Sequence, residues 1–346
     1  MHNTSTISGF APLGISLPLL QRLSAQNIAE PTPIQSGAIP QALAGKDIIG
    51  LANTGTGKTL AFALPMAQLL QKGEVGLVLA PTRELAQQIE ETFRSLGLKC
   101  ALIVGGAGYR GQVNALRSNP QIIVATPGRF MDLMEQDAVR LERITIATLD
   151  EADRMLDMGF ARAIRTILGA CISRRQTLLF SATMPAQIED LARVYLTSPV
   201  KVKVTDDSST PDLVEQELLF LDFDHKPMVL ADLLDEHDGT VLVFSRTRHG
   251  AKKLARTIRG QGHTAAEIHA DRSLSQRREA LAGFKSGDYR ILVATDIAAR
   301  GIDVKGISLV VNYDLPETPE DYVHRIGRTG RAGAKGRAIT LALPEQ

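Results

Sequence analysis

No stretch of this sequence approaches the ~18 consecutive apolar residues of a membrane-spanning helix, so no membrane association is expected. The start, Met1-His2-Asn3-Thr4-Ser5-Thr6, places no basic region before an apolar run, so no secretory signal is expected there. Cysteine is scarce. Cys100 and Cys171 are the only two, both in apolar contexts, and they read as core thiols suited to a reducing cytoplasm rather than as a disulfide. The seven histidines show no metal-ligand spacing. Charge of one sign is also lacking: the net value of +1 excludes a simple polycation.

What is present is unevenly spread. Residues 1–211 carry 20 basic and 18 acidic side chains, residues 212–240 carry 1 and 9, and residues 241–346 carry 18 and 11. The basic excess therefore lies in the last third, mostly as arginine. Residues such as Lys253 and Arg256 read as solvated helix faces, and so does the acidic stretch 212–240. The arginines of His324-Arg325-Ile326-Gly327-Arg328-Thr329-Gly330-Arg331 read differently, because a glycine-containing loop holding several arginines suits phosphate recognition.

At 346 residues the chain is long enough for two domains, each with its own core. Short Val- and Ile-rich runs at 47–52, 76–80, 101–104, 122–125, 144–149 and 177–180 alternate with amphipathic segments such as 83–96 and 186–195. A second series follows at 241–244, 265–268, 291–294, 309–311 and 339–341, with helical segments at 249–259 and 275–285. Apolar strands linked by helices imply parallel sheets covered on both faces. The polar run Thr205-Asp206-Asp207-Ser208-Ser209-Thr210-Pro211 marks the boundary. The expected division is 1–205, a linker at 206–211, and 212–346, two α/β domains in tandem.

Ligands of open parallel sheets bind beyond the carboxyl ends of the strands, and the motifs fall there. Ala52-Asn53-Thr54-Gly55-Thr56-Gly57-Lys58-Thr59 follows a strand and opens a helix. Its glycines let backbone N–H groups turn toward an anion, and the helix N-terminus adds its dipole. Lys58 would reach the β- and γ-phosphates, and the Thr59 hydroxyl would ligate Mg²⁺. Ala52 stands where the general pattern has its first glycine. Asp150-Glu151-Ala152-Asp153 ends another buried strand. An acid there would be costly without a partner, and a metal ion supplies one. Asp150 suits Mg²⁺, and Glu151 suits a base that activates the attacking water. Cradle and acids together make a nucleotide site.

With Pro31-Thr32-Pro33-Ile34-Gln35, Pro81-Thr82-Arg83-Glu84-Leu85, Gly105-Gly106, Thr126-Pro127-Gly128-Arg129, Ser181-Ala182-Thr183, Thr295-Asp296 and Arg300-Gly301-Ile302-Asp303 added in that order, the chain resembles the DEAD-box RNA helicases from about Phe10 to its end. The resemblance implies two RecA-like domains with a cleft between them, and roles by position. Gln35 would read the adenine edge, with Phe10 and Ile28 packing on the base and Asp303 contacting ribose. Arg328 and Arg331 are similar to arginine fingers, which are worth about 10³–10⁵ in rate. Asp153, Ser181, Thr183, Arg300 and His324 would couple hydrolysis to RNA. Pro81, Thr82, Arg83, Gly105, Gly106, Thr126, Pro127, Gly128 and Arg129 match the RNA surface of the first domain. Arg246, Arg277 and Thr295 match that of the second. Such contacts grip sugars and phosphates rather than reading sequence.

Four departures from the family pattern stand out: Asn53 for a usual Gln, Ile28 for a frequent aromatic, Ala270 for a Gly with Leu274 for a Gln, and an end at Gln346 just after the core, where many relatives carry tails. The expected activity is RNA-stimulated ATP hydrolysis with local unwinding of short duplexes, by a monomeric, cytoplasmic enzyme using ATP and Mg²⁺. Two alternatives stand beside it: an ATP-gated RNA clamp without productive unwinding, and a DNA-translocating motor of related architecture.

Overall fold

The computed structural model describes residues 9–53, 55–204, 214–299, 304, 306–330 and 335–345, with Leu274, Ile297, Ala299 and Glu320 described by backbone alone. The chain divides into two compact units, Met1–Thr205 and Asp206–Gln346. The linker expected at 206–211 lies outside the described residues.

The strands of the first unit are β1 Ile48–Leu51, β2 Val75–Leu79, β3 Cys100–Ile103, β4 Ile122–Ala125, β5 Ile144–Leu149, β6 Gln176–Ser181 and β7 Val200–Lys203. They form one parallel sheet in the order β3-β4-β2-β5-β6-β1-β7. β1, β2, β4 and β6 are buried at every position, as apolar strands between two helical layers must be. Three rings fix one layer. Phe62 of helix Lys58–Leu69 lies 6.2 Å from Phe93 of helix Arg83–Ser95 and 5.5 Å from Phe180 of β6, centre to centre. The helix that opens at Lys58 is thereby seated on the sheet, and emptying such a ring site costs about 3–5 kcal/mol. Asp47 closes the opposite end of the sheet, accepting from the Thr177 amide at 2.7 Å and the Thr197 amide at 2.6 Å.

The second unit contains β8 Val214–Phe220, β9 Val241–Phe244, β10 Ala265–Ile268, β11 Ile291–Ala294, β12 Leu309–Asn312 and β13 Gly336–Ala342. They form a parallel sheet in the order β10-β11-β9-β12-β13-β8. Its two faces carry separate apolar clusters, one around Phe244, Phe284 and Val310, the other around Leu230, Leu254 and Val311.

Two edge strands were absent from the expectation. β7 reads Val-Lys-Val-Lys and has no buried position, and β8 is buried only at Val214. The acidic stretch 212–240 is therefore not a single solvated helix face. It begins with edge strand β8 and continues into helix Lys226–Glu236, which buries Lys226, Leu230 and Leu234. Charged residues on an edge hide its strand character and discourage pairing with other chains. Cys100 and Cys171 are free and buried, and burial pushes their thiols up to about 12 and about 11. Among the described residues no helix is long and apolar enough to cross a membrane.

Candidate nucleotide site and nucleic-acid interface

The chemistry of the first unit gathers where β1, β6 and β5 end side by side. The loop after β1 turns through left-handed backbone at Gly55 (φ +89°) and Gly57 (φ +91°) and opens helix Lys58–Leu69. Gln35 braces this loop: its Nε2 donates to the Gly57 carbonyl at 2.9 Å, and its Oε1 accepts from the Thr32 amide at 2.9 Å. That second bond is half of a capping box that starts helix Pro33–Leu43. The Gln35 amide thus has a fixed orientation, with one N–H and one lone pair remaining. Lys58 is buried and donates to the Ala52 carbonyl at 2.9 Å, and Thr56 donates to the Asn53 carbonyl at 2.8 Å. Phe10 is 0% exposed, so its ring has no face open to a base, while Ile28 is half-buried. Thr54 lies outside the described residues.

At the end of β5, Asp150 is 2% exposed, and burial pushes its carboxyl up to about 6 against the pull of the Lys58 ammonium. Its Oδ1 accepts from the Glu151 amide at 3.0 Å. Glu151 has left-handed backbone (φ +50°, ψ +54°) and caps helix Ala152–Asp157. Its Oε2 accepts from Arg154 Nη1 at 2.7 Å in a buried ion pair. Asp153 Oδ2 accepts from the Ala182 amide at 3.1 Å, the Thr183 amide at 2.8 Å and the Thr183 hydroxyl at 2.9 Å. Ser181, the last residue of β6, touches both sides. Its carbonyl accepts from the Ala52 amide at 3.0 Å, and its Oγ accepts from the Asp153 amide at 3.2 Å. The strand order alone places Ser181 between cradle and acids.

The loops after β3, β4 and β2, three adjacent strands, bring together the residues matched to RNA binding. Thr82 caps helix Arg83–Ser95, accepting from the Leu85 amide at 3.3 Å. The Arg83 guanidinium lies against Gly105 and Gly106, and a β-carbon on Gly106 would come 2.3 Å from one of its nitrogens. Arg129, two residues into helix Pro127–Met134, donates to the Ala107 carbonyl at 3.1 Å. Thr126 and Pro127 are buried, Pro81 is buried, and Gly128 is exposed.

In the second unit the loops after β10, β11 and β9 are again neighbours: the Thr295 amide donates to Ile268 at 3.3 Å and the Ser245 amide to Ala294 at 2.9 Å. Arg246 is exposed, its amide donating to Asp314 at 2.8 Å, and Thr295 is half-buried. Arg277 is buried on helix Leu274–Ser286. His324 lies on helix Pro319–Ile326, and Arg328, buried just after it, donates to the His324 carbonyl at 3.3 Å. Arg300, Asp303 and Arg331 lie outside the described residues.

Three site residues escaped the sequence reading. Arg154 carried a signal, its spacing of three from Glu151 on a helix. Gln112 carried none: it holds the 104–107 loop by bonding both the Val104 amide and the Val104 and Ala107 carbonyls. Arg325 sat inside a quoted motif without a role. It grips Asp296 at 2.6 and 2.7 Å, donates to Asn312 and to the Asp314 carbonyl, and lies 5.0 Å from the Phe244 ring centre.

Residues 32–191 match the family model of the DEAD/DEAH box helicases, and residues 225–333 match that of the helicase conserved C-terminal domain. The chain is 43% identical over 341 residues to the ATP-dependent rRNA helicase RRP3 of Yarrowia lipolytica, covering 96% of this chain and 71% of that protein. It is 43% identical over 345 residues to the DEAD-box ATP-dependent RNA helicase CshA of Bacillus cereus, covering 97% of this chain and 66% of that one. Relatives of this kind are longer, and the chain spans as little as 57% of one from Arabidopsis thaliana. Among solved structures, Saccharomyces cerevisiae Dbp5 bound to RNA and ADP BeF3 is similar at a TM-score of 0.86 and 31% identity, covering 98% of this chain and 90% of that one.

Proposed function

The chain belongs to the DEAD/DEAH box helicase family, and on that premise we propose that it is an RNA-dependent ATPase that separates short or structured RNA duplexes. The observation that carries the proposal is Ser181, bonded through its carbonyl to the start of the phosphate cradle and through its hydroxyl to Asp153. A change at the nucleotide is thereby linked by direct bonds to the segment 181–183 that the family resemblance ties to RNA.

The roles follow from the chemistry. The backbone of 55–57 cradles phosphates, Lys58 swings from the Ala52 carbonyl to the β- and γ-phosphates, and Gln35 uses its remaining N–H and lone pair on adenine. Glu151 takes the proton of the attacking water. Arg328 and Arg331 supply positive charge to the transferring phosphoryl group. The loops around Arg83, Gly106, Arg129, Arg246 and Thr295 hold RNA by its backbone, which gives grip without sequence reading.

The donors fit Mg²⁺. A buried carboxylate whose pKa is raised by burial gains from a cation, and Asp150 with the Thr59 hydroxyl offers two hard oxygens. Asp150 and Thr59 would hold the ion, which would supply neutralisation of phosphate charge. Free, buried cysteines suit a cytoplasmic location.

Phosphate release measured with and without single-stranded RNA, beside duplex separation, tests the proposal. Release should be low alone and rise strongly with RNA, and a short duplex should separate in ATP. RNA-stimulated release without separation would make the protein a clamp, and stimulation by DNA alone would make it a DNA motor.

A further inference from the structure

We propose that Arg154 is the residue that positions Glu151, setting the rate of hydrolysis while contributing little to nucleotide binding. The inference rests on Glu151 being the base of the proposed ATPase. Glu151 and Arg154 side chains are 7% and 6% exposed and 2.7 Å apart. They sit three residues apart at the start of helix Ala152–Asp157.

Several bonds fix the Glu151 backbone. Its amide is bound to Asp150 Oδ1, its carbonyl accepts from the Met155 amide at 3.1 Å, and Asp153 is tied to the 182–183 backbone. The left-handed conformation (φ +50°) is strained for a residue with a side chain and persists because these bonds over-determine it. Backbone fixing leaves three side-chain torsions free. The bond from Arg154 acts beyond them, on the carboxylate itself. A base must lie within hydrogen-bond reach of its proton, and a displacement of about 1 Å can cost about 100-fold in rate. The planar guanidinium holds an oxygen in direction as well as distance, which an ammonium does less well.

Four variants of the whole chain test this: Arg154→Met, Arg154→Lys, Glu151→Gln and the double Glu151→Gln/Arg154→Met. Three quantities are read: RNA-stimulated kcat and KM for ATP, equilibrium binding of a non-hydrolysable ATP analogue, and melting of the ligand-free protein. In Arg154→Met kcat should fall about 100-fold, while KM and analogue affinity change by less than about threefold. Arg154→Lys should recover part of the loss. In the Glu151→Gln background the Met substitution should remove little further rate. Melting should show the same coupling, because Met takes the guanidinium away from a buried carboxylate only when Glu151 is present.

Equal losses of rate in both backgrounds, or analogue binding weakened as much as kcat, would overturn the assignment. Should Arg154→Met fail to fold, Arg154→Lys decides: reduced kcat at unchanged KM supports it, and wild-type kcat sinks it. If the wild type shows no RNA-stimulated release, the ATPase reading fails, while the melting cycle still reports on the pair.

Discussion

Gly57 combines a left-handed backbone with a wall of neighbours. At φ +91° a β-carbon would lie 2.4 Å from Gln35 Nε2 and 2.9 Å from the Thr32 hydroxyl. Gly57→Ala therefore strains the loop by about 1–3 kcal/mol and displaces the amide that braces it. Titration with an ATP analogue should show at least a tenfold loss of affinity; unchanged binding would mean that the Gln35–Gly57 bond is incidental. His269 is buried, and neither ring nitrogen has a hydrogen-bond partner among the described residues. Burial lowers its pKa below the usual 6.5, so the unfolded chain binds its proton more readily. Its share of stability is present above pH 6.5 and is lost as pH falls below that value. His237 acts in the same direction, again mainly through burial. Melting the wild type and His269→Leu between pH 8 and pH 5 should show a smaller acid loss in the variant, and equal slopes would remove His269 from the effect.

Arg325 joins elements that the sheet itself does not. It ties helix Pro319–Ile326 to Asp296 after β11 and to the chain leaving β12, over the Phe244 ring of β9. Arg325→Met would leave Asp296, itself a quarter exposed on its side chain, without this partner. Truncating one member of a buried pair costs about 3–5 kcal/mol, and the partial exposure of Asp296 sets the expectation at the lower end. Urea denaturation measures this, and a loss under ~1 kcal/mol would show that solvent screens the pair as it does surface pairs. His324 and Arg328 flank this anchor on the same short segment, so the variant should also lower RNA-stimulated hydrolysis. At this scale the sequence was legible for the buried strands, whose apolar runs leave no alternative. Edge strands β7 and β8 were not, because one-sided exposure mixes charged residues into their pattern.

Across the whole chain the near-zero net charge hides a segment of nine acids followed by a basic last third. Loops proposed to hold RNA by its backbone, in a nearly neutral protein, predict RNA binding that is salt-sensitive and nearly blind to sequence. Each phosphate neutralised adds about −0.7 to the slope of log affinity against log salt for single strands. Affinities for equal-length RNAs of different sequence should agree within about tenfold, as expected when phosphate and sugar contacts carry no base readout. A strong preference, or a flat salt response, would contradict binding through the loops around Arg83, Arg129 and Arg246.

The motifs proposed to hold phosphate and to carry out hydrolysis could be read from the chain alone, because each is contiguous: glycine, lysine and threonine stand side by side at a strand end. The alternation of apolar runs and helices likewise implied two parallel sheets. Contacts between segments far apart could not be read that way. Ser181 meets Ala52 and Asp153 because β6 inserts between β1 and β5, Gln35 braces Gly57 across 22 residues, and Arg83 rests on Gly106 because β3 and β4 stand beside β2. Phe10 is enclosed rather than open to a base. Bond formation across such distances depends on strand order and packing, which fold the whole domain at once and leave no local mark in the sequence.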